Sequence, residues 1–543
     1  MKILKGKSIS FGHAIGKAFV YKDVLTRNLY FYSIDRKDVE IELKRIKDAF
    51  DLVLTDVKKL EKNVRDELGK DQADIFKVHA EILKDKTLLK DIEKELNNEL
   101  VNAEHAVRNV FRKWANKFKI SESETVKSKA DDLEDLSRRI LCSFMKCDIN
   151  VMENVPPESI IVAKRLLPSD TVRLKRKNVK GIIVEQGSSV AHSAIIARSL
   201  GIPAVTEIEN AISIIKRGEK LILDGYNGTV IQNPTEKEIK IYKKIIQSMK
   251  KRETKLINGA RHISKTKDGK LIKVYANVSS KEDAKIAADR GYDGVGLLRI
   301  EQLYMSSKIL PDEKYLLSSL YEILEPLKKK VVTLRLLDIG SDKNIPYIKI
   351  EDEPSPVLGL RGVRLLLKYK NLLRTQLKAA IIVSKDYNIR VLVPMVTFHE
   401  EMEEVRKVAR DCMREVKNDY GIRIKKLKIG AMIETPAAVE NIEKIAEVSD
   451  FLSIGTNDLI QYSVAAGRDN PSVLEYYEHG SSLVMKYIKR IVRSADSHGI
   501  ECSVCGEMAS DLKWVKPLIK AGISALSVSP YLVPVVKDDI RKI

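Results

Sequence analysis

The chain has 543 residues, too many for one hydrophobic core, so we expect several folded units. No apolar run approaches the roughly 20 residues of a membrane span, and the first residues lack the continuous apolar stretch of a signal peptide, so we expect a cytoplasmic protein without membrane insertion. The formal net charge is +20, but the lysines alternate with acids and no basic stretch carries interleaved aromatic residues, which argues against nucleic-acid binding.

The first half of the chain combines helical and strand patterns. Apolar residues three and four apart in residues 36–147 predict four antiparallel helices. The β-rich stretch GKSISFGHAIGKAFVY precedes them, and the short strands SIIVA, GIIVE, LILDG and GTVIQ follow them. We therefore predict a multidomain α/β protein in which residues 1–33 and 148–233 form one α/β domain, with an all-helical subdomain at 34–147 inserted into it. Residues 234–262 predict a basic linker helix with a thin apolar stripe.

The second half has a different periodicity. Helical segments separate eight short, mostly β-branched runs: LIKVYANV, DGVGLLR, VVTLRLL, IRVLVPMV, KIGAMIE, FLSIGTN, ECSVCGE and ALSVSP. Together they span roughly 270 residues, close to the usual size of a (β/α)₈ barrel. The sequence therefore predicts a TIM barrel over residues 263–543.

Active sites of such barrels lie at the carboxyl ends of the strands. The residues predicted there are Arg299, Arg335, Glu434, Asn457, Asp458, Cys505 and Glu507, joined by Arg361 and Arg468 from the loops LGLRGVR and AAGRDN. A single arginine at a strand end is often part of a structural ion pair. Several arginines and carboxylates that converge on one barrel mouth indicate a functional site.

The residue types at this rim indicate the ligand. Guanidinium groups match the oxygens of phosphate and carboxylate, so we expect a small polyanion. Glu434 and Asp458 supply hard oxygen ligands, and no two of the eight histidines lie within five residues of each other. A magnesium ion that bridges the carboxylates to a phosphate fits this inventory.

Cysteine usage argues against both disulfides and zinc. The five cysteines are scattered, and CSVC at 502–505 has no second pair. Because residues three apart in a strand point to opposite faces, only one of these two thiols is expected at the rim, and we assign it to Cys505.

One histidine stands at the start of a short helix in GSSVAHSAIIARSLGIPAV. The unpaired N–H groups and partial positive charge there stabilise a phosphate and keep the His192 imidazole neutral and nucleophilic. A lone histidine is more often a satisfied surface residue. A polyanion-binding barrel whose only nucleophile is a thiol favours a phosphohistidine at His192 instead.

At these residues the chain resembles enzyme I of the bacterial phosphoenolpyruvate:sugar phosphotransferase system. Ten blocks match in order: SISFGHAIGKA, IFKVHAEILKD, LPSDT, HSAIIARSLGIPAV, GVGLLRIE, LDIGSDK, LGLRGVR, IGAMIETPAA, SIGTNDLIQY and CGEMA. The resemblance covers essentially the whole chain.

The resemblance implies a role for each site residue. His192 would accept the phosphoryl group on Nε2 and pass it to a histidine of the carrier protein HPr. Arg299, Arg335 and Arg468 would bind phosphoenolpyruvate, with Arg361, Asn457 and Asp458 beside it. Glu434 and Asp458 would hold Mg²⁺, and Cys505 would protonate the enolpyruvate carbon as pyruvate forms.

The resemblance also implies partners. The helical subdomain would dock HPr, and we expect the acidic face around Glu67, Asp71, Asp74 and Glu81 to meet a basic carrier. His79, in the same block, is interpreted as a packing residue. A homodimer through the barrel domain is expected, as is a swivel of the histidine domain with the linker helix as hinge.

Several positions depart from the family pattern: Val190 and Ala191 replace hydroxyl residues, Lys164 and Arg165 stand where acids are usual, Ile300 replaces a threonine, and Lys129 an arginine. EHGSS is altered, and the chain ends earlier than is common in the family. None of these changes removes a residue with an implied chemical role; we expect them to affect rate, regulation and dimerisation.

Three other functions compete with this interpretation. A pyruvate dikinase or phosphoenolpyruvate synthase shares the histidine domain and barrel but needs a further nucleotide-binding domain, for which the chain has no room. If the chain were a nucleic-acid-binding protein with a vestigial barrel, its affinity for polynucleotides would fall steeply as the salt concentration rises. A non-catalytic regulatory relative is suggested by Val190 and Ala191.

Overall fold

The computed structural model describes most of the chain. The described residues are 2–21, 23, 31–68, 70–119, 124–145, 151–167, 170, 179–185, 201–305, 307, 309–327, 330–340, 345, 347–348, 353, 355–422, 427–467 and 471–543. The chain divides into two compact units, Met1–Lys250 and Lys251–Ile543.

The first unit contains an eight-stranded mixed sheet. Its strands are β1 (Lys2–Lys5), β2 (Lys7–Ser10), β3 (His13–Tyr21), β4 (Ser159–Ala163), β5 (Gly181–Val184), β6 (Ala204–Thr206), β7 (Lys220–Asp224) and β8 (Thr229–Gln232), in the order β1-β8-β7-β3-β4-β5-β6-β2. Strands β3 and β4 are adjacent and parallel, with Phe19 opposite Ile161. Strands from both sides of the helical block therefore share one sheet.

The helical block lies between β3 and β4 in the chain. It comprises α1 (Val39–Leu68), α2 (Lys70–Ile82), α3 (Lys86–Glu99), α4 (Ala103–Lys119) and α5 (Glu124–Phe144), which share one apolar core around Val53, Phe76 and Leu136. The prediction of four helices is wrong, because the described residues of this block form five. The apolar period runs without interruption through α2 and α3, so the sequence predicts one helix where the chain breaks at Asp85. The Asp85 carboxylate accepts a hydrogen bond from Thr87 N and caps α3.

A buried charge network attaches α5 to the sheet. Arg138 donates to the Tyr21 hydroxyl at 2.8 Å and to Asp170 at 2.7 Å. In the same block, His79 is fully buried, and its Nε2 lies 3.1 Å from Asp132 Oδ1. After β6 the chain forms the short helix α6 (Ala211–Ile214), and after β8 the long helix α7 (Glu236–Ala260).

The second unit is a closed parallel barrel. Its strands are β10 (Leu271–Val278), β11 (Val295–Leu298), β12 (Val332–Arg335), β13 (Ile389–Val393), β14 (Lys428–Ile433), β15 (Phe451–Ile454), β16 (Glu501–Val504) and β17 (Ala525–Val528); β17 pairs with β10, and the short β9 (Ser264–Lys265) pairs antiparallel to β10. Each of the eight strands β10–β17 falls within one of the eight runs identified in the sequence. The predicted fold class, including the TIM barrel, is confirmed, whereas the predicted domain boundaries stay a prediction.

Helices surround the barrel. They are α8 (Lys281–Asp289), α9 (Glu301–Met305), α10 (Glu313–Leu324), α11 (Val363–Lys368), α12 (Lys370–Val383), α13 (His399–Tyr420), α14 (Pro436–Glu440), α15 (Ile442–Glu447), α16 (Thr456–Val464), α17 (Leu474–Ser497), α18 (Leu512–Lys520) and α19 (Val533–Ile540). No described helix is both long enough and apolar enough to cross a membrane.

A buried lysine connects α19 to the end of α7. Lys537 is fully buried, and its Nζ donates to the carbonyls of Ala260 (2.8 Å) and Gly291 (2.7 Å) and to Asp293 Oδ1 (2.6 Å). A weaker bond joins Nζ to the carbonyl of His262 at 3.2 Å. The last turn of α7 is therefore attached to the barrel.

Candidate active site

A cavity of about 620 Å³ opens at the carboxyl ends of the barrel strands. Its polar walls come from successive strand ends and the loops after them, while the apolar side chains of Leu297 and Met432 form part of its floor. This is the end of the barrel at which TIM-barrel enzymes place their chemistry.

Most of the residues predicted for the site meet at this cavity. Those that line it are Arg299, Arg335, Arg361, Asn457, Asp458, Cys505 and Glu507. Glu434 is fully buried and is not part of the cavity wall, although an added Cβ on the lining residue Gly455 would lie 2.6 Å from its Oε2. His192 and Arg468 lie outside the described residues, so the structure leaves their predicted roles as predictions.

Two carboxylates orient the buried arginines. Arg335 donates to Glu301 Oε1 at 2.7 Å, and its other terminal nitrogen lies 3.3 Å from Asp338 Oδ2. Asp338 also accepts from Arg361 Nη2 at 3.0 Å and from Nε at 3.3 Å. Burial opposes charge on both guanidinium groups, but the neighbouring carboxylates outweigh it and raise their pKa values. The arginines are therefore held charged and in fixed positions.

Neither Glu301 nor Asp338 is among the residues that the sequence predicts for the site. Each lies three residues beyond the end of a barrel strand, within the blocks GVGLLRIE and LDIGSDK. Their position in the sequence could have indicated this role, since both come shortly after an arginine at a strand end and a buried guanidinium group needs a counter-charge.

A tyrosine connects two loops at the rim. The Tyr462 hydroxyl donates to the carbonyl of Val357 at 2.7 Å and lies 3.4 Å from Arg361 Nη1. Burial raises the pKa of Tyr462 to about 12, so the phenol stays protonated and able to donate. The loop that carries Arg361 is thereby attached to α16.

Glu434 is an unusual carboxylate. Burial, together with the charges of Asp458 and Asp338, raises its pKa to about 8. Its Oε1 accepts from Met395 N at 2.7 Å, where Met395 adopts a left-handed conformation (φ 58°), whereas Oε2 is buried without a hydrogen-bond partner among the described residues. A buried carboxylate oxygen beside other carboxylates fits a bound cation that would neutralise the cluster.

The described residues do not form a complete metal site by themselves. They contain no cluster of three or more histidine, cysteine, aspartate or glutamate side chains suited to hold an ion. Magnesium in phosphate-binding enzymes typically takes one or two carboxylates and completes its shell with substrate oxygens and water. The pair Glu434 and Asp458 fits that mode of binding.

Cys505 is a buried thiol at the mouth. It is 3% exposed, packs against Leu297 and Met432, and lies 3.5 Å from the carbonyl of Ile454. Burial raises its pKa to about 11, so it carries its proton at neutral pH. Cys502, three residues earlier, packs in the main barrel core instead and does not line the cavity.

Asn457 lines the same cavity as Cys505. Its Oδ1 accepts from Glu507 N at 2.8 Å, and its amide nitrogen lies 3.3 Å from Glu507 Oε1. This pair of contacts connects the ends of β15 and β16.

Known families match along the chain. Residues 251–543 match the PEP-utilising enzyme, PEP-binding domain; residues 5–129 match the PEP-utilising enzyme, N-terminal domain; and residues 155–228 match the PEP-utilising enzyme, mobile domain. The barrel cavity thus lies in the part that matches the PEP-binding domain.

Curated relatives match over nearly their full length. The phosphoenolpyruvate-protein phosphotransferase of Priestia megaterium is 32% identical over 546 residues, covering 100% of this chain and 94% of the relative. That of Bacillus subtilis (strain 168) is 32% identical over 543 residues, covering 100% and 95%. The solution NMR structure of the Enzyme I (nEIt) protein, 34% identical, covers 46% of this chain and 99% of its own, with a TM-score of 0.40. The chain therefore belongs to the family of phosphoenolpyruvate-protein phosphotransferases, enzymes that use phosphoenolpyruvate and a metal ion.

Proposed function

We propose that this enzyme transfers the phosphoryl group of phosphoenolpyruvate to His192 and from there to a histidine of HPr, releasing pyruvate. It would act in the cytoplasm as the first step of the sugar phosphotransferase system. The observation that carries the proposal is the convergence of guanidinium groups, carboxylates and one protonated thiol on a single cavity at the barrel mouth.

The arginines would bind the substrate. The charged oxygens of phosphoenolpyruvate would lie among Arg299, Arg335 and Arg361, with Arg468 as a further ligand from its loop. Because Glu301 and Asp338 already orient the two buried guanidinium groups, little reorganisation is needed when substrate binds. Asn457 and Asp458 would lie beside it.

Glu434 and Asp458 would hold Mg²⁺. The ion would neutralise charge on the phosphoryl oxygens when it is bound. The support is the donor set, two oxygen ligands without imidazole, and the unpartnered oxygen of Glu434.

The chemistry balances with the residues named. His192 Nε2 attacks phosphorus, the bond between phosphorus and the enol oxygen breaks, and its electron pair leaves with the enolate of pyruvate. The Cys505 thiol gives its proton to the methylene carbon of that enolate, which yields pyruvate. A pKa of about 11 keeps the thiol protonated at neutral pH, as an acid in this position must be.

The central experiment is incubation with phosphoenolpyruvate labelled in its phosphoryl group, with magnesium, in the presence and absence of HPr. We expect label on the enzyme alone and its transfer when HPr is added. His192→Ala should abolish labelling, and the exposed His262→Ala is the matched control that should retain it. Label that persists on His192→Ala would overturn the central assignment.

We further propose that the helical subdomain, residues 34–147, docks HPr and that the enzyme is a homodimer through its barrel. The side chains of Glu67, Asp71 and Asp74 lie outside those the structure describes, and Glu81 is exposed. Reversing these four charges should slow transfer to HPr but spare loading from phosphoenolpyruvate. An equal loss of both steps would contradict the docking assignment.

A further inference from the structure

A groove of about 440 Å³ lies on the sheet of the unit Met1–Lys250 and contains no residue named in the proposed reaction. Its lining comes from the middle of β3, from the segment that leads into β4 and from the turn between α6 and β7. We call it the β3 groove. Its apolar lining residues are Ile15, Ala18, Phe19, Pro156 and Pro157, and its basic ones are Lys17, Arg217 and Lys220.

The β3 groove is a gap in the cover of one face of the sheet. Because side chains alternate along a strand, Ile15, Lys17 and Phe19 lie on the same face. Ile15 packs against the apolar cluster that contains Ile239 of α7, and Phe19 belongs to the cluster that contains Val155. Lys17, between them, is exposed. The face is therefore covered on both sides of Lys17 and open at Lys17 itself.

Two lysines of the groove face each other across neighbouring strands. Lys17 on β3 stands directly opposite Lys220 on the antiparallel strand β7, and like charges in such a pair repel. Lys220 lies 3.9 Å from Glu236, an exposed contact that compensates its charge only weakly. Lys17 has no carboxylate partner in the described part of the chain. An anion between the two ammonium groups would turn their repulsion into attraction.

The guanidinium group of Arg217 is a third cation at the groove. It lies 4.8 Å from the centre of the Phe19 ring, and Phe19 is 3% exposed. Contact with the ring face leaves the N–H donors at the edge of the guanidinium group available to a ligand. Among the described residues, none accepts a hydrogen bond from them. Such donors match the oxygens of a carboxylate or a phosphate.

The acidic residue of the groove is paired from outside it. Glu158 lies 2.7 Å from Lys180, which is not a lining residue, so the charges of Lys17 and Arg217 remain in excess. The wall that carries Glu158 is also fixed in place. An added Cβ on Gly16 would lie 2.6 Å from the Glu158 carbonyl oxygen, and the prolines at 156 and 157 restrict the backbone before it. The groove is therefore formed before a ligand binds.

We propose that the β3 groove binds a small organic anion, a carboxylate or phosphate monoester that carries an apolar body. The anionic group would lie among Lys17, Arg217 and Lys220, and the apolar body would displace water from the apolar lining. The volume is within the usual range for small-molecule sites, about 300–1,000 Å³. Two uncompensated cations match one anionic group, whereas an acidic protein segment would bring more negative charge than the groove can neutralise.

The test is calorimetric titration of the full chain with octanoate and with octyl phosphate, at constant ionic strength set with chloride. Octanol and octylammonium keep the apolar body without the negative charge, and acetate keeps the charge without the apolar body. We expect the first two to bind, the tighter one identifying the preferred anionic group. The other three should bind about tenfold more weakly or not at all, because each lacks one half of the interaction.

Three variants assign the binding to the groove. Arg217→Gln should weaken it about tenfold, because one charged fork is lost. Lys17→Glu should abolish it and yet maintain or raise the thermal midpoint, since a glutamate opposite Lys220 replaces repulsion with attraction. Lys216→Gln removes a positive charge from an exposed position beside the groove and should leave binding unchanged.

The barrel mouth also offers arginines to anions, so Arg299→Gln serves to separate the two sites. We expect it to spare the binding of octanoate, and Arg217→Gln to retain phosphoenolpyruvate-dependent labelling. Equal affinities in Arg217→Gln, Lys216→Gln and the unmodified chain would overturn the proposal, as would octylammonium binding as tightly as octanoate. A polyglutamate peptide that binds more tightly than octanoate would overturn it in favour of an acidic protein partner. None of these results depends on whether His192 is phosphorylated.

Discussion

At the scale of single residues, the barrel mouth contains buried guanidinium groups that stay charged only because carboxylates lie next to them. Arg335 and Arg361 remain charged because Asp338 lies against both, whereas burial, together with the neighbouring carboxylates, raises the pKa of Glu434 to about 8. The same burial keeps the Cys505 thiol protonated. The apolar barrel interior thus holds two charged guanidinium groups, the Glu434 carboxyl group suited to bind a cation, and the Cys505 thiol as an acid.

The acid form of Cys505 leads to a prediction about its reactivity. The pKa of Cys505 is about 11, so at any pH well below that value each rise of one pH unit increases the thiolate fraction about tenfold. Iodoacetamide should therefore modify Cys505 slowly at pH 7 and about a hundredfold faster at pH 9, as measured by mass spectrometry of the native protein.

One variant and one control residue make this prediction specific. Cys505→Ala should slow pyruvate formation by about 10²–10⁴-fold with a smaller change in the KM for phosphoenolpyruvate, as expected for loss of a general acid. Cys502, whose pKa burial raises further, should remain unmodified over the same pH range. Fast alkylation of Cys505 at pH 7 would show a thiolate and would contradict its proposed role as proton donor.

Asp338 should contribute strongly to the stability of residues 251–543. Asp338→Asn leaves two buried guanidinium groups without their shared counter-charge, which we expect to cost about 3–5 kcal/mol in free energy of unfolding. The measurement is the urea midpoint of that unit. Asp411→Asn is the matched control: it breaks an exposed pair with Arg414 on α13 and should cost less than about 1 kcal/mol. Similar losses in both variants would refute the role of Asp338.

At the scale of elements, the site depends on the close approach of neighbouring strand ends. Gly506, directly after Cys505, has no room for a side chain, since an added Cβ would lie 1.9 Å from Thr456 Oγ1 and 2.7 Å from Thr456 N. Its φ of −86° suits any residue, so the constraint is space rather than backbone freedom. The absence of a side chain at Gly506 lets the loop with Cys505 lie against the start of α16.

Gly506→Ala should therefore displace the thiol. We expect a loss of about 1–3 kcal/mol in stability from overpacking, together with slower pyruvate formation. Adding Thr456→Ala should restore part of both, because it removes the nearest clashing atom. Gly259→Ala in α7, where the added Cβ meets only Arg541 at 3.6 Å, should instead be neutral or stabilising by up to about 1 kcal/mol. Equal behaviour of Gly506→Ala and Gly259→Ala would contradict this account.

The sequence predicts the barrel elements well because each strand is a short β-branched run between helical segments, and parallel strands bring their carboxyl ends to one rim. It places Arg299, Arg335 and Cys505 at the mouth for that reason. It does not show that Asp338 bridges two arginines, since Arg335 and Arg361 lie 26 positions apart. The break at Asp85 is missed because a local cap overrides a continuous apolar period.

At the scale of the whole molecule, the proposed substrate site and the proposed phosphorylation site belong to different units. All described residues that line the barrel cavity belong to Lys251–Ile543, whereas His192 belongs to Met1–Lys250. Phosphoryl transfer to His192 would therefore require both units, but substrate binding should require only the second. A fragment of residues 251–543 should bind phosphoenolpyruvate without becoming labelled.

The starting residue of that fragment matters, because Lys537 bonds to the end of α7. A fragment that begins at 264, close to the sequence-predicted boundary of the barrel, lacks the carbonyls of Ala260 and His262. A buried ammonium that loses acceptors costs about 1–3 kcal/mol for each unsatisfied bond, so this fragment should unfold at lower urea than residues 251–543. Circular dichroism of both fragments measures the difference. Equal midpoints would mean that the last turn of α7 acts only as a linker, and that the barrel is complete without it.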